Sequence, residues 1–292
     1  MISVVIPLYN KQDLIVNTIQ SVLSQTYQDF EIIVVDDGST DDSPNQVLDF
    51  QDPRIRLVYQ NNSGVAAARN RGISESRGDF VAFIDADDLW LPDYLYTQLL
   101  LVRKFPNCDV FACNYEFKNL NGVIANPKLY NIPFDGEFGL LDGYFEISSV
   151  SDPPLWTSAV MVRKPVIESV GGFPVGIKSG EDLLTWARLA CRYDIAYCMK
   201  PLATYCQGYS NPRPPEVKDF VGEQLECLLK EHPETLGLKR YVAFWYKMRM
   251  CRCLAHRMWG KAMWSFLKSL GYRPIQGKIY LSIVKYTLIG LK

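Results

Sequence analysis

The chain has 292 residues, 48% of them hydrophobic and 22% charged, with a net charge of -1. That make-up excludes a disordered or fibrous chain and allows one large or two small domains around real cores. The charge is unevenly spread: residues 235–292 hold twelve Lys or Arg and no Asp or Glu, so residues 1–234 carry -13.

Ile2 to Pro7 reads as a buried first strand, followed by a loop at Tyr9-Asn10-Lys11. Leu14, Ile15, Ile19, Val22 and Leu23 recur at helical spacing up to about Gln25. Glu31 to Val35 is a second buried strand and runs into Asp36-Asp37-Gly38-Ser39-Thr40-Asp41. Val47 to Phe50 suits a short helix and Ile55 to Tyr59 a third strand. Asn62-Ser63-Gly64 opens a helix carrying Ala66-Ala67-Ala68-Arg69-Asn70. Phe80 to Ile84 is a fourth strand, and it ends in Asp85-Ala86-Asp87-Asp88. Strand and helix alternate four times, which predicts a mostly parallel α/β sheet with helices on both faces.

Beyond Pro92 the pattern changes. Tyr94 to Phe105 reads as a helix, Asp109 to Phe117 as a strand, and 118–154 as a loop-rich stretch suited to meeting a substrate. Trp156 to Val162 reads as a strand, Gly171-Gly172-Phe173 as a turn, and Ile195 to Cys206 as a closing strand. Glu181 and Asp182 open a helix, where acids suit the dipole and serve equally as caps or as an active-site base. Glu181 is read as the cap.

Two strands end in acids, and in a parallel sheet those ends share one edge, where open α/β sheets bind ligands. Residues two apart on an extended chain share a face, so Asp85 and Asp87 are candidates for one pocket. Two adjacent carboxylates repel unless a cation or a hydrogen-bond donor sits between them, and Mg²⁺ or Mn²⁺ suits an all-oxygen site shared with phosphates. The bland alternative is a polar turn, with Asp88 or Asp93 helping to start the helix near Pro92, and Asp88 is given that role. Tyr9 could lie flat against a base and Asp37 could accept from a ring N–H; equally, Tyr9 could pack and Asp36 could cap the turn at Gly38. No phosphate loop of either glycine-rich kind is present, so Lys11, Arg69 or Arg71 would supply positive charge to bound phosphates.

Six segments in order, over about residues 1–210, resemble the inverting, family-2 glycosyltransferases of the GT-A fold. They are Val5-Ile6-Pro7-Leu8-Tyr9-Asn10, Val34-Val35-Asp36-Asp37-Gly38-Ser39-Thr40-Asp41, Ala68-Arg69-Asn70-Arg71-Gly72, Asp85-Ala86-Asp87-Asp88, Gly171-Gly172-Phe173, and Gly180-Glu181-Asp182 with Trp186. The resemblance implies that Tyr9 and Asp37 hold a nucleoside base and that Asp85 lies near ribose and metal. It implies that Asp87 binds Mn²⁺ or Mg²⁺ and that Asp182 is the general base. Pro7 and Arg69 are counted with the donor-binding residues. Residues 1–215 are expected to form the GT-A domain, with a nucleotide-sugar half (about 1–90) and an acceptor half (about 91–215). One departure stands out: Tyr205-Cys206-Gln207-Gly208-Tyr209 has neither the Arg nor the His of the Tyr-Arg-x-His found in many relatives. The Gln-x-x-Arg-Trp signature of processive synthases is also absent, so one sugar is expected per encounter.

The expected activity is metal-dependent transfer of one sugar from a UDP-sugar donor to a glycan or lipid-linked acceptor, in cell-surface polysaccharide synthesis. The alternative is a non-catalytic nucleotide-sugar-binding protein of the same fold. Residues 216–292 read as helices, Phe220 to Lys230, Arg240 to about Trp259, Lys261 to Leu270 and Lys278 to Leu291. Their mixture of aromatic and basic residues suits an anionic membrane surface, or else a helical pack with a solvated basic face. Nucleic acid is not expected, because nothing in the body is basic. The eight cysteines lack metal spacing, the opening residues lack a signal pattern, and no apolar run reaches about 18–20 residues. A reduced, cytoplasmic protein, peripheral on the inner face of the membrane, is expected.

Overall fold

The computed structural model describes residues 1–206 and 218–274. The expected helix from Lys278, the stretch Gln207-Gly208-Tyr209 and the 215/216 boundary lie outside them. The chain divides into two compact units, Met1–Asp142 with Ser151–Ser210, and Gly143–Val150 with Asn211–Lys292.

The first unit is built on one mixed sheet. Its amino-terminal half is β1 (Ile2–Leu8), β2 (Phe30–Asp36), β3 (Ile55–Tyr59) and β4 (Phe80–Phe83), all parallel, in the order β3-β2-β1-β4. Every residue of β1, β2 and β4 is buried, as their unbroken apolar runs require of strands covered on both faces. The alternation of side chains sorts the helices. Ile32 and Val34 join the core that includes Ile15, Ile19 and Val22 of α1 (Ile15–Leu23), while Ile33 and Val35 meet Ala68 of α3 (Val65–Glu75). α2 (Ser43–Leu48) begins earlier than the short helix expected from Val47 to Phe50.

The sheet continues through β9 (Val160–Arg163), β6 (Val110–Lys118), β10 (Ile195–Cys206) and β5 (Leu89–Trp90). β9 is antiparallel to both β4 and β6, β10 is parallel to β6, and β5 is antiparallel to β10. Two short strands from the expected loop, β7 (Ile124–Ala125) and β8 (Phe138–Leu140), pair with β6 and β10. α4 (Tyr94–Lys104), α6 (Lys164–Ser169) and α7 (Glu181–Ala190) complete the unit. The strand expected from Trp156 starts only at Val160. Thr157–Ala159 coil into a 3-10 turn because Trp90 Nε1 donates to the Ser158 carbonyl at 2.6 Å and Ser158 Oγ turns to Asp88.

The second unit contains α5 (Tyr144–Ser148), α8 (Phe220–Glu231), α9 (Leu238–Ala255) and α10 (Trp259–Tyr272). Asp219 caps α8 through Gly222 N and also accepts from Trp245 Nε1 and pairs with Arg249 of α9. Glu226 accepts from Tyr246 Oη and Lys268 Nζ, both at 2.7 Å. α9 has no single apolar stripe because α5, α8 and α10 all pack on it. The helix expected to run to Trp259 stops at Ala255. Arg257 there takes a left-handed φ of 57°, and α10 follows.

Candidate active site

The carboxyl edge of β1, β2 and β4 carries the site, and its loops are tied by side chains that accept backbone N–H groups. Asp37, just after β2, is buried and accepts from Gln60 Nε2 at 2.7 Å and from Ser63 N and Gly64 N at 2.8 Å. Gly64, with φ of 89°, opens α3 at that point. Asp36 accepts from Ser39 N, which closes the turn at Gly38, whose φ is 74°. Pro7 is buried inside β1, opposite Val35, while Tyr9, two residues on, is 46% exposed. Tyr9 therefore offers an exposed ring, and the preceding Leu8 carbonyl accepts from the Asp37 N–H. Pro7 contributes strand rather than an exposed surface.

Lys11 joins the two acid-bearing strand ends. Its backbone N–H donates to Ser43 Oγ at 2.8 Å, and its ammonium pairs with Asp87. Asp87 lies two residues beyond Asp85. Burial, and then the negative charge of Asp85, push the Asp87 carboxyl above its ordinary value against the opposing pull of Lys11. Asp85 accepts from Arg69 Nη2 at 2.7 Å, and its N–H donates to Ser158 Oγ.

Arg69 is the connector. It is 3% exposed and reaches from α3 between two elements: Nη2 meets Asp85 at the end of β4, and Nη1 meets Glu181 at the start of α7, at 3.1 Å. Its guanidinium lies 5.1 Å from the centre of the Phe173 ring. Burial opposes its charge, but Asp85 and Glu181 outweigh burial and hold it charged above the usual arginine range. Glu181 is thus an ion-pair partner and makes no cap hydrogen bond, contrary to the cap expected for it; Gly180 occupies that position with φ of 89°. Asp182 is placed beside this pair. Burial and the Glu181 charge push its carboxyl up to about 7, with Arg69 and the Leu183 N–H pulling the other way.

The turn beneath Arg69 is held by its neighbour. Asn70 Nδ2 donates to the Phe173 carbonyl at 2.7 Å and Phe173 N donates to Asn70 Oδ1 at 2.8 Å. Phe173, Trp186 and Phe83 pack edge-on and tilted with centroids 5.2–6.3 Å apart, which sets α7 against β4.

Sequence reasoning missed Asp88. It is 1% exposed and accepts from Ser158 Oγ at 2.5 Å, Trp156 Nε1 at 3.2 Å and Cys206 N at 3.1 Å. Burial and the charges of Asp85 and Asp87 raise its carboxyl well above the ordinary value. One side chain therefore ties the end of β4 to the 3-10 turn and to the end of β10. The partners lie about 70 and 120 positions away, so no local pattern distinguishes Asp88 from a polar turn residue.

The donor set at Asp85 and Asp87 fits a hard divalent cation. It offers two oxygen ligands, and no cluster of three or more His, Cys, Asp or Glu exists among the described residues. The remaining positions would then fall to phosphate oxygens and water, which is how Mg²⁺ is usually held.

A family model described as Glycosyl transferase family 2 matches residues 3–151. An uncharacterized glycosyltransferase of Rickettsia conorii is 33% identical over 207 residues, which are 69% of this chain and 32% of that protein. The UDP-Glc:alpha-D-GlcNAc-diphosphoundecaprenol beta-1,3-glucosyltransferase WfgD of Escherichia coli is 38% identical over 126 residues, 43% of this chain and 49% of WfgD. The match therefore spans a third to a half of these relatives' length. Among solved structures, S. aureus TarS 1-349 in complex with UDP-GlcNAc superposes with a TM-score of 0.74 at 17% identity, over 97% of this chain and 81% of that one. That likeness establishes the GT-A type of fold.

Proposed function

The chain belongs to glycosyl transferase family 2, and we propose that it transfers one sugar, with inversion, from a nucleotide-diphosphate donor to an acceptor hydroxyl. The observation that carries this reading is the buried Arg69, which draws Asp85 and the Glu181-Asp182 pair into one charged network at the sheet edge. A donor-holding carboxylate and a base thereby sit together.

Each residue has a task in that reading. The ring of Tyr9 offers a flat surface for a base. Asp37, whose Oδ2 accepts only from Gly64 N, retains acceptor capacity for a ring N–H. Asp85 and Asp87 would hold Mg²⁺ or Mn²⁺, which supplies positive charge to the leaving diphosphate. Lys11 pairs with Asp87 and is within reach of the same negative charge. Asp182 takes the proton of the acceptor hydroxyl as its oxygen bonds to the anomeric carbon and the bond from that carbon to the diphosphate oxygen breaks. A carboxyl pushed up to about 7 is a stronger base than an ordinary aspartate and is about half ionised at neutral pH. One base and one displacement invert the anomeric centre.

A UDP-sugar is the favoured donor, because the named relative WfgD uses UDP-Glc and the TarS structure holds UDP-GlcNAc. WfgD's acceptor is a sugar on a lipid diphosphate, which supports a glycan or lipid-linked acceptor and a place in cell-surface polysaccharide synthesis. A second reading, a nucleotide-sugar binder without activity, draws on Lys11, whose ammonium already neutralises Asp87. Asp182→Asn separates the two. Transfer from UDP-sugars should fall by about 10²–10⁴ while UDP binding, followed by calorimetry, stays. Equal transfer by the variant, or none by the native chain with any nucleotide sugar, overturns the catalytic reading.

A further inference from the structure

α10 leaves a row of large apolar side chains facing away from the protein. Its fully buried residues against α9 are Ala262, Ser265 and Ser269, with Ser269 Oγ donating to the Ala243 carbonyl at 2.8 Å, and Phe266 is half-buried against Met250, Cys253 and Leu254. Its outward face carries Trp259, Met263 and Leu267, 53%, 58% and 60% exposed. Positions four apart stack along one side of a helix, so these three form a row, and Trp264, 42% exposed, borders it. A helix that only packed against its own protein would not leave a second row of large apolar side chains in the open.

The charge around that row says what covers it. Arg257, Lys261 and Arg273 flank or lie on α10, Lys268 pairs with Glu226 of α8, and no acid occurs from Thr235 to the end of the chain. A second copy would bring the same positive charge to the contact. So would residues 275–292, whose charged residues are Lys278, Lys285 and Lys292. Beside the row, Trp264 also lines a cavity of about 260 Å³ with Lys218, Arg249 and Lys261. Asp219 and Glu223 line it too, but they pair with Arg249 and Lys218. Lys261 has no carboxylate partner among the described residues. No helix of the described residues is long and apolar enough to cross a membrane. Apolar rings and chains on one face, with a basic rim, are the build of a helix lying in the plane of a bilayer surface.

We propose that α10 lies on an anionic lipid bilayer, with Trp259, Met263, Trp264 and Leu267 entering the headgroup boundary and the flanking cations meeting lipid phosphates. The contact is separate from the sheet-edge site.

The test is co-sedimentation of the full chain with vesicles of phosphatidylcholine alone and of phosphatidylcholine with about a third phosphatidylglycerol. Binding is expected on the mixed vesicles, little on the neutral ones, and less in about 0.5 M salt. Combining Trp259→Ser, Met263→Ser and Leu267→Ser should lower partition at least about tenfold with the melting temperature unchanged. Arg257→Glu with Lys261→Glu should abolish the preference for mixed vesicles. Failure of the native chain to bind, or equal binding by the triple variant, overturns the proposal. So does a triple variant that melts several degrees lower, which would mean that the chain's own residues cover the face. Self-association of the native chain that the triple variant loses would also overturn it, by assigning the face to a second copy. Nucleotide binding serves as the independent control, since it reads the sheet-edge site alone.

Discussion

Glu181 and Asp182 are adjacent carboxylates that the surroundings set to different work. Glu181 takes one arm of Arg69 at 3.1 Å; Asp182 lies close to both and accepts from the Leu183 N–H. Burial and Glu181 then raise Asp182 to about 7. A base must be deprotonated, so kcat/KM should climb tenfold per pH unit below about 7 and level off above it. A flat profile down to pH 5 would assign the base elsewhere. The same shift has a stability consequence. A carboxyl raised in the folded state favours folding fully below the unfolded value of about 3.8, and that contribution is lost as pH rises through about 7. Asp182→Asn should therefore melt higher than the native chain at pH 8 and show little gain at pH 4.

α3 is the element that assembles the site, and three nearby residues do so by different physics. Arg69 carries charge into the sheet edge, Asn70 pins the Phe173 turn by two hydrogen bonds, and Gly72 lets the helix lie against β1. A Cβ on Gly72 would sit 2.2 Å from Val5 Cγ1, in the middle of a strand with no exposure. Helix propensity alone favours Gly72→Ala by about 1 kcal/mol. The clash opposes it, and overpacking a core costs about 1–3 kcal/mol or more. We expect the clash to win, so Gly72→Ala should lower the urea midpoint. A variant at least as stable as the native chain would show that α3 can shift on β1, and Arg69 with it.

Across the first unit, the parallel order β3-β2-β1-β4 delivers Asp37, Lys11, Asp85 and Asp87 to one edge from separate parts of the chain. Binding there should stabilise the unit as a whole. A ligand at about 100 times its dissociation constant adds about 2.7 kcal/mol to the folded state. UDP with Mn²⁺ is expected to raise the melting temperature more than UDP alone, and Asp87→Ala should remove the metal-dependent part. A shift of equal size without metal, unchanged in Asp87→Ala, would leave Lys11 as the cation that serves the diphosphate.

The sequence by itself determined the alternating strands and helices, the edge on which the acids gather and the family. Those follow from short-range facts: unbroken apolar runs mark buried strands, their ends mark the edge, and motif order survives without coordinates. The basic, acid-free end of the chain was equally plain. Only the tertiary structure decided what each acid touches. Glu181 looked like a helix cap and is an arginine partner; Asp88 looked like a turn residue and is a buried tie among three distant segments. The strand expected from Trp156 begins late because Ser158 is drawn to Asp88. In α10 the sequence displayed a helix mixing aromatic and basic residues but not which side faces the protein. Periodicity records that two faces differ; burial, which depends on neighbours far along the chain, decides which face turns inward.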